Sequence, residues 1–205
     1  YFSKILNLKV IIMSATLPNL NDLLQGDIKS INLIQNRDKY FKNNLFKNRV
    51  NIKYDLLNQD IDLDILYKHL KNIHNYNKDK KIVVEFIKKS SAYDFYNKLK
   101  NSGEFLVDIE LMTGDDNIAQ RDKIIKITKD KEIKSMILIA TQVIEAGVDI
   151  DMDIGYKDIS ILDSEEQFMG RINRSCLRSG VLYFFNLDKS TSIYKNDFRN
   201  NKSFT

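Results

Sequence analysis

Short apolar runs at residues 82–86, 107–111, 136–140, 154–156 and 181–185 recur through the second half of the chain. None alternates strictly between apolar and polar residues, so each is expected to be a strand covered on both faces. Helical stretches about 10 to 12 residues long separate most of them, and strands joined by such crossovers lie parallel. The expected fold is α/β, an open doubly wound parallel sheet with helices on both faces. Sheets of this kind bind ligands at the carboxyl ends of their strands, so function is expected in the loops after Phe86, Leu111, Ala140 and Tyr156.

The connecting elements carry their own signals. Leu63, Leu66, Tyr67, Leu70 and His74 recur at the spacing of one helix face, and Asn117 reads as the cap of a helix that carries Ile118, Ile124, Ile125 and Ile127. Another helix is expected around residues 90–99, and one around 164–173. Residues 50–57 could be a strand. Earlier, residues 10–13 read as a buried strand whose continuation Pro18 stops, and a short helix closes at Gly26. The Asn- and Lys-rich stretch 36–48 has little periodicity and reads as linker.

Composition narrows the class. Of 205 residues 43% are hydrophobic and 29% charged, the balance of an ordinary soluble globular protein. No apolar run approaches the roughly 20 residues of a membrane-spanning helix, which excludes the membrane classes. The net charge of +4 is compatible with a polyanionic partner. The single cysteine, Cys176, excludes an internal disulfide and a cysteine-built zinc site, as expected of a cytoplasmic protein. The chain opens at Tyr1 with neither Met nor a signal peptide, and is expected to be a piece of a longer polypeptide.

Three segments carry chemistry: Ser14-Ala15-Thr16; the run from Ala140 to Asp151 with Thr141, Glu145, Gly147 and Asp149; and Gln167-Phe168-Met169-Gly170-Arg171-Ile172-Asn173-Arg174. On a helix, Gln167, Arg171 and Arg174 share a face, so two permanently charged guanidinium forks could aim at one phosphate. Thr141 ends a strand and can offer a hydroxyl and a backbone N–H to a nucleic-acid phosphate. Gly147 permits a turn that a side chain would obstruct. Thr113 and Arg121, after the strand at 107–111, can contact backbone phosphate. Glu145, Asp151 and Asp153 add acid without a histidine among them, so no metal site is expected. His69 and His74 are spaced five apart and read as structural or solvated.

In this order the three segments resemble the third, fifth and sixth motifs of superfamily 2 helicases. The middle one, continued by Asp153-Ile154-Gly155-Tyr156-Lys157-Asp158, is similar in particular to the CRISPR-associated helicase of type I interference systems. The resemblance runs from about Val10 to Phe185. It implies a RecA-like sheet, with residues 1–26 ending a first lobe, 27–60 a linker and 61–205 the second lobe. It further implies that Arg171 and Arg174, with Gln167, act as arginine fingers on ATP, that Asp149 accepts from the ribose, and that Ser14 and Thr16 couple hydrolysis to strand movement. Single-stranded DNA, a guide-RNA surveillance complex and an HD nuclease domain are the partners it implies. Where the family's fourth motif often has an Asn-Thr pair, Glu85 and Phe86 stand instead, and Met112, Thr113 and Gly114 replace its usual His and Ser.

Neither a G-x-x-x-x-G-K-[ST] phosphate loop nor an acidic box preceding Ser14 occurs in the sequence. The family places both, and with them Mg2+, on the first lobe, so these residues alone are expected not to hydrolyse ATP. An RNA or DNA-repair helicase of the same superfamily would share all three motifs. A truncated lobe that only docks onto a partner is the non-enzymatic alternative.

Overall fold

The apolar runs pair into one sheet because their backbone groups find partners only in neighbouring strands. In the computed structural model, which describes residues 42–145 and 147–194 together with residues 5, 6, 8, 9, 11–13, 31, 33–36 and 39, these strands are β1 (Val50–Lys53), β2 (Lys81–Glu85), β3 (Asp108–Met112), β4 (Met136–Ala140), β5 (Ile154–Asp158) and β6 (Gly180–Phe185). Their order across the sheet is β1-β6-β5-β2-β4-β3. Every pairing is parallel. Strands β2, β4 and β5 are buried along their whole length, which explains why none alternates between apolar and polar residues.

Two cores lie on opposite faces. Ile82, Val84, Ile137, Ile139 and Tyr156 point to one, where helices α1 (Leu63–Tyr76) and α2 (Lys89–Ser102) lay down Leu66, Leu70, Phe95 and Leu99. Val83, Leu138, Ala140 and Leu182 point to the other, covered by Ile124 of α3 (Ile118–Lys129) and Phe168 of α4 (Leu162–Met169). The fold is therefore the doubly wound α/β sheet expected from the sequence. Helix starts follow their caps: Asp62 accepts from Ile65 N at 2.7 Å, and Asn117 forms a reciprocal capping box with Gln120 at 2.9 and 3.0 Å.

Three expectations are sharpened or changed. Residues 50–53, inside the possible strand 50–57 and the stretch assigned to the linker, form edge strand β1 alongside β6. Val50 and Ile52 pack on the second core and Tyr54 stacks on Phe184 at 5.8 Å, contacts that join β1 to the sheet. Ile11, Ile12 and Met13, expected in a buried strand, stand exposed and unpaired among the described residues. Strands need sheet neighbours for their backbone groups, and none of the six pairs with them. The third change concerns the arginine segment: α4 stops at Met169 instead of running through residue 173.

The connection from β4 to β5 sets the position of the site. It runs from the carboxyl end of β4 past β2 to the amino end of β5 without a helix, as a single 3-10 turn (Gln142–Ile144) followed by irregular chain. Ile144, Val148, Ile150 and Met152 anchor it in the second core. Thr141 is thus left at one edge of the sheet and Asp149 at the other.

Candidate functional site

The arginine segment is shaped by close packing on a glycine. Gly155 of β5 has no side chain, and a Cβ there would stand 2.7 Å from Ile172 and 2.9 Å from Phe168. Ile172 therefore sits directly against the strand, wholly buried. Its backbone leaves the helix to form a parallel bridge with Met152: Met152 N donates to Arg171 O at 3.0 Å, and Asn173 N donates to Met152 O at 2.7 Å. Asn173 takes φ +46°, a left-handed conformation that asparagine tolerates. Its amide donates to Arg49 O at 2.9 Å and to Arg178 O, and its Oδ1 accepts from Arg178 N at 3.1 Å.

This turn brings the two arginines to the β4–β5 connection by a different route from a shared helix face. Arg171 Nε donates to Ile144 O at 2.9 Å, and its Nη2 donates to Glu145 O. Burial, then the like charge of Arg174, pushes the Arg171 guanidinium below its ordinary value. Arg174 is about half exposed and reaches Asp149 at 3.3 Å. Its backbone N–H donates to Asp151 at 2.7 Å. Asp149 also accepts from Lys129 at 2.5 Å, a bond that holds its carboxyl below the usual aspartate value. Gly147, at φ +73°, makes the turn that precedes Asp149. Gln167 lies one turn before Arg171, half-buried on α4.

Asp149 leads into the amino end of β5, Arg174 precedes β6, and Lys129 closes the helix before β4. Asp149 and Arg174 therefore lie toward the amino ends of the strands, while the Arg171 guanidinium reaches back to Ile144 and Glu145, shortly after the carboxyl end of β4. The reason is the helix-free crossover, which carries the motif from one edge to the other. A cleft of about 780 Å3 opens here, lined by Lys80, Lys81, Lys129, Asp149, Asp151 and Arg178 among others.

At the carboxyl edge, Thr141 is buried and its backbone N–H is already taken by Met112 O at 3.1 Å. Thr113 is wholly buried, with its N–H donated to Asp116 at 2.5 Å. Arg121 Nη2 donates to Thr113 O at 3.3 Å and to Gly114 O at 3.2 Å. These three residues cluster together at the ends of β3 and β4. Ser14 and Thr16 lie outside the described residues.

The acids near the motif are engaged in structure. Asp151 holds the Arg174 and Ser175 amides, and Asp153 accepts from Lys81 N at 2.8 Å and pairs with Arg178 at 2.6 Å. Among the described residues no three His, Cys, Asp or Glu side chains converge on a metal position. His69 meets the Tyr156 hydroxyl at 3.0 Å, a packing role.

A buried charge cluster escaped the sequence reading. Glu85 of β2 and Lys157 of β5 are register partners, both with side chains at 0% exposure, and Lys157 Nζ lies 2.5 Å from Glu85 and 3.4 Å from Glu145. Burial drives the Glu85 carboxyl well above its usual value; Lys157 opposes this and Glu145 adds to it. Burial also works against the Lys157 charge, but Glu85 and Glu145 outweigh it and raise the amine. The only sequence signal was a Glu and a Lys inside otherwise apolar strands.

Residues 78–176 match the family described as CRISPR-associated nuclease/helicase Cas3, C-terminal. A CRISPR-associated nuclease/helicase Cas3 of Methanothermobacter thermautotrophicus is 27% identical over 175 residues, covering 82% of this chain and 19% of that protein. The chain thus spans about a fifth of that relative's length. Among solved structures, T. fusca Cas3 with ATP superimposes with a TM-score of 0.56 at 18% identity, over 74% of this chain and 20% of that one. The C-terminal domain of the DEAD-box protein Dbp5 gives a TM-score of 0.52 at 19% identity, over 73% and 86%. The sheet is that of RecA-like helicase C-terminal lobes.

Proposed function

We propose, because residues 78–176 match the family described as CRISPR-associated nuclease/helicase Cas3, C-terminal, that this chain is the second motor lobe of an ATP-dependent helicase that moves along single-stranded DNA in CRISPR interference. ATP binds between this lobe and a first RecA-like lobe that supplies the phosphate loop and holds Mg2+. This lobe contributes Arg171 and Arg174, with Gln167 beside them, and Asp149 for the ribose. A guide-RNA surveillance complex and an HD nuclease domain are its proposed partners.

The observation that carries this reading is the convergence of Arg171, Arg174 and Asp149 on the β4–β5 connection, beside a cleft whose lining has six Lys or Arg against four Asp. Such a cleft suits a polyanionic nucleotide. Arg171 is anchored through two backbone carbonyls, which keeps its fork in one place. Arg174 is different: half exposed and held to Asp149 by a 3.3 Å pair, it can exchange that partner for a phosphate. Asp149 then keeps Lys129 as its partner and has oxygens left to accept from a ribose hydroxyl. Gly147 lets the connection turn so that Asp149 faces the cleft.

Single-stranded DNA would run along the carboxyl edge, past Thr141, Thr113 and Arg121, with Ser14 and Thr16 relaying closure of the lobes. Of the three described residues only Arg121 is half exposed, so it is the first contact a phosphate would meet. Contacts to phosphate ignore sequence and can be remade one nucleotide further on.

The test uses the complete motor. Arg171→Ala and Arg174→Ala should each lower kcat for ATP hydrolysis by about a thousandfold, the usual value of an arginine finger, while ATP binding stays within a few-fold. Undiminished turnover would end the finger assignment.

A further inference from the structure

The guanidinium of Arg171 is held by two carbonyls at the end of the 3-10 turn, those of Ile144, its last residue, and Glu145, which follows it. The turn begins without a side-chain cap. Besides the buried Ile144 side chain, this piece of chain is fixed by the Glu145 side chain, which turns inward, accepts from Ser164 Oγ of α4, and lies 3.4 Å from Lys157 Nζ. Ser164 in turn accepts from Ser160 at 2.9 Å. Lys157 is seated by the sheet itself: its register partner Glu85 accepts from it at 2.5 Å, and the Phe168 ring lies 5.9 Å beneath its ammonium. From the central strands to the finger the path is Glu85, Lys157, Glu145, then backbone to Arg171.

We propose that Lys157 is a positioning residue for Arg171, acting through Glu145 to hold the two carbonyls where the finger needs them. The proposal rests on the finger reading given above. Stability alone gives no reason for the cluster, since a buried ion pair is commonly no more stabilising than apolar side chains of the same volume. A catalytic fork, by contrast, loses rate when it shifts by an ångström, and a fixed outer shell prevents that. One ammonium between two carboxylates also leaves an excess of acid. Glu85 Oε2 is buried with no partner, and burial raises this carboxyl, so neither carboxyl can do without the single ammonium between them.

In the complete motor, Lys157→Met should lower kcat for ATP hydrolysis on the order of tenfold to a hundredfold, with KM for ATP within a few-fold. Glu145→Gln, which keeps shape and loses charge, should show the same split and is the variant to read where Lys157→Met folds poorly. The deciding readout is the cycle with Arg171→Ala. If Lys157 works through the finger, neither substitution lowers kcat further once Arg171 is gone. Equal losses with and without Arg171, or an unchanged kcat for both variants, would overturn the proposal. Full activity of Arg171→Ala by itself would instead refute the finger reading, so the two failures are told apart.

Discussion

Replacing Gly155 with alanine tests how the arginine turn is built. The added Cβ would stand 2.7 Å from Ile172 Cδ1 and 2.9 Å from Phe168 Cε1, where ordinary contacts begin at 3.4 Å. Neither neighbour has room to yield. Both are wholly buried, and Ile172 is tied by its backbone to Met152. Overpacking of this kind costs about 1–3 kcal/mol, and the gain of about 0.5–1 kcal/mol for replacing a strand glycine offsets part of it. The expected net loss is roughly 1–2 kcal/mol, or about 2–8 °C in Tm for a chain of this size. Urea unfolding of the chain followed by far-ultraviolet circular dichroism measures it. Ile172→Val removes the nearest methyl and alone should cost about 0.5–1.5 kcal/mol. Combined with Gly155→Ala, it should cost less than the two losses added, by more than about 0.5 kcal/mol. A neutral Gly155→Ala, or strictly additive losses, would refute the packing argument.

Other outcomes follow from single features. Asp62→Ala removes the cap of α1 and should lower stability by about 1 kcal/mol in the same urea assay. Burial raises Asp158 to about 7 in the folded chain from an ordinary 3.8, so the folded state holds a proton that the unfolded state has lost. The stabilisation from that proton is complete below about pH 4 and fades as pH rises through about 7. Urea midpoints should therefore fall across this window, and Asp158→Asn should flatten the decline. Lys157→Met should cost about 3–5 kcal/mol by stranding buried carboxylates, and adding Glu85→Leu should restore much of that loss. If the double variant is no more stable than the single, the buried charge is not what the lysine neutralises. Single-stranded DNA should stimulate the ATPase of the complete motor more than RNA does; equal stimulation would favour an RNA helicase role.

The parallel sheet was legible because burial on both faces leaves a plain mark: β4 is apolar end to end and β2 carries an unbroken Ile82-Val83-Val84 centre. The edge strand β1 left a fainter one. It reads Val50-Asn51-Ile52-Lys53 after an Asn-rich stretch, and only its pairing with β6 separates it from linker. The end of α4 was hidden for a different reason. Spacing places Gln167, Arg171 and Arg174 on one helical face, and nothing local says that Ile172 will leave the helix for Met152. That choice is made by Gly155, distant in sequence, which opens the space. The course of the segment after Ala140 was not legible: the β4–β5 connection has no helix, so it carries its residues from the carboxyl end of one strand to the amino end of the next. Motif residues were found by type and spacing. Their partner Lys129 was not, and the contacts that Asp151 and Asn173 make were not foreseen, because only the folded chain brings these groups together.

The claim that this lobe completes an ATP site is tested most directly by affinity for the transition state. In the complete motor, ADP with aluminium fluoride imitates the phosphoryl group in flight, and ADP alone serves as reference. Arg174→Ala should weaken binding of the mimic on the order of a hundredfold or more while leaving ADP within a few-fold, since a finger acts on charge that develops only during transfer. Equal weakening of both ligands, or of neither, would contradict a finger role for Arg174.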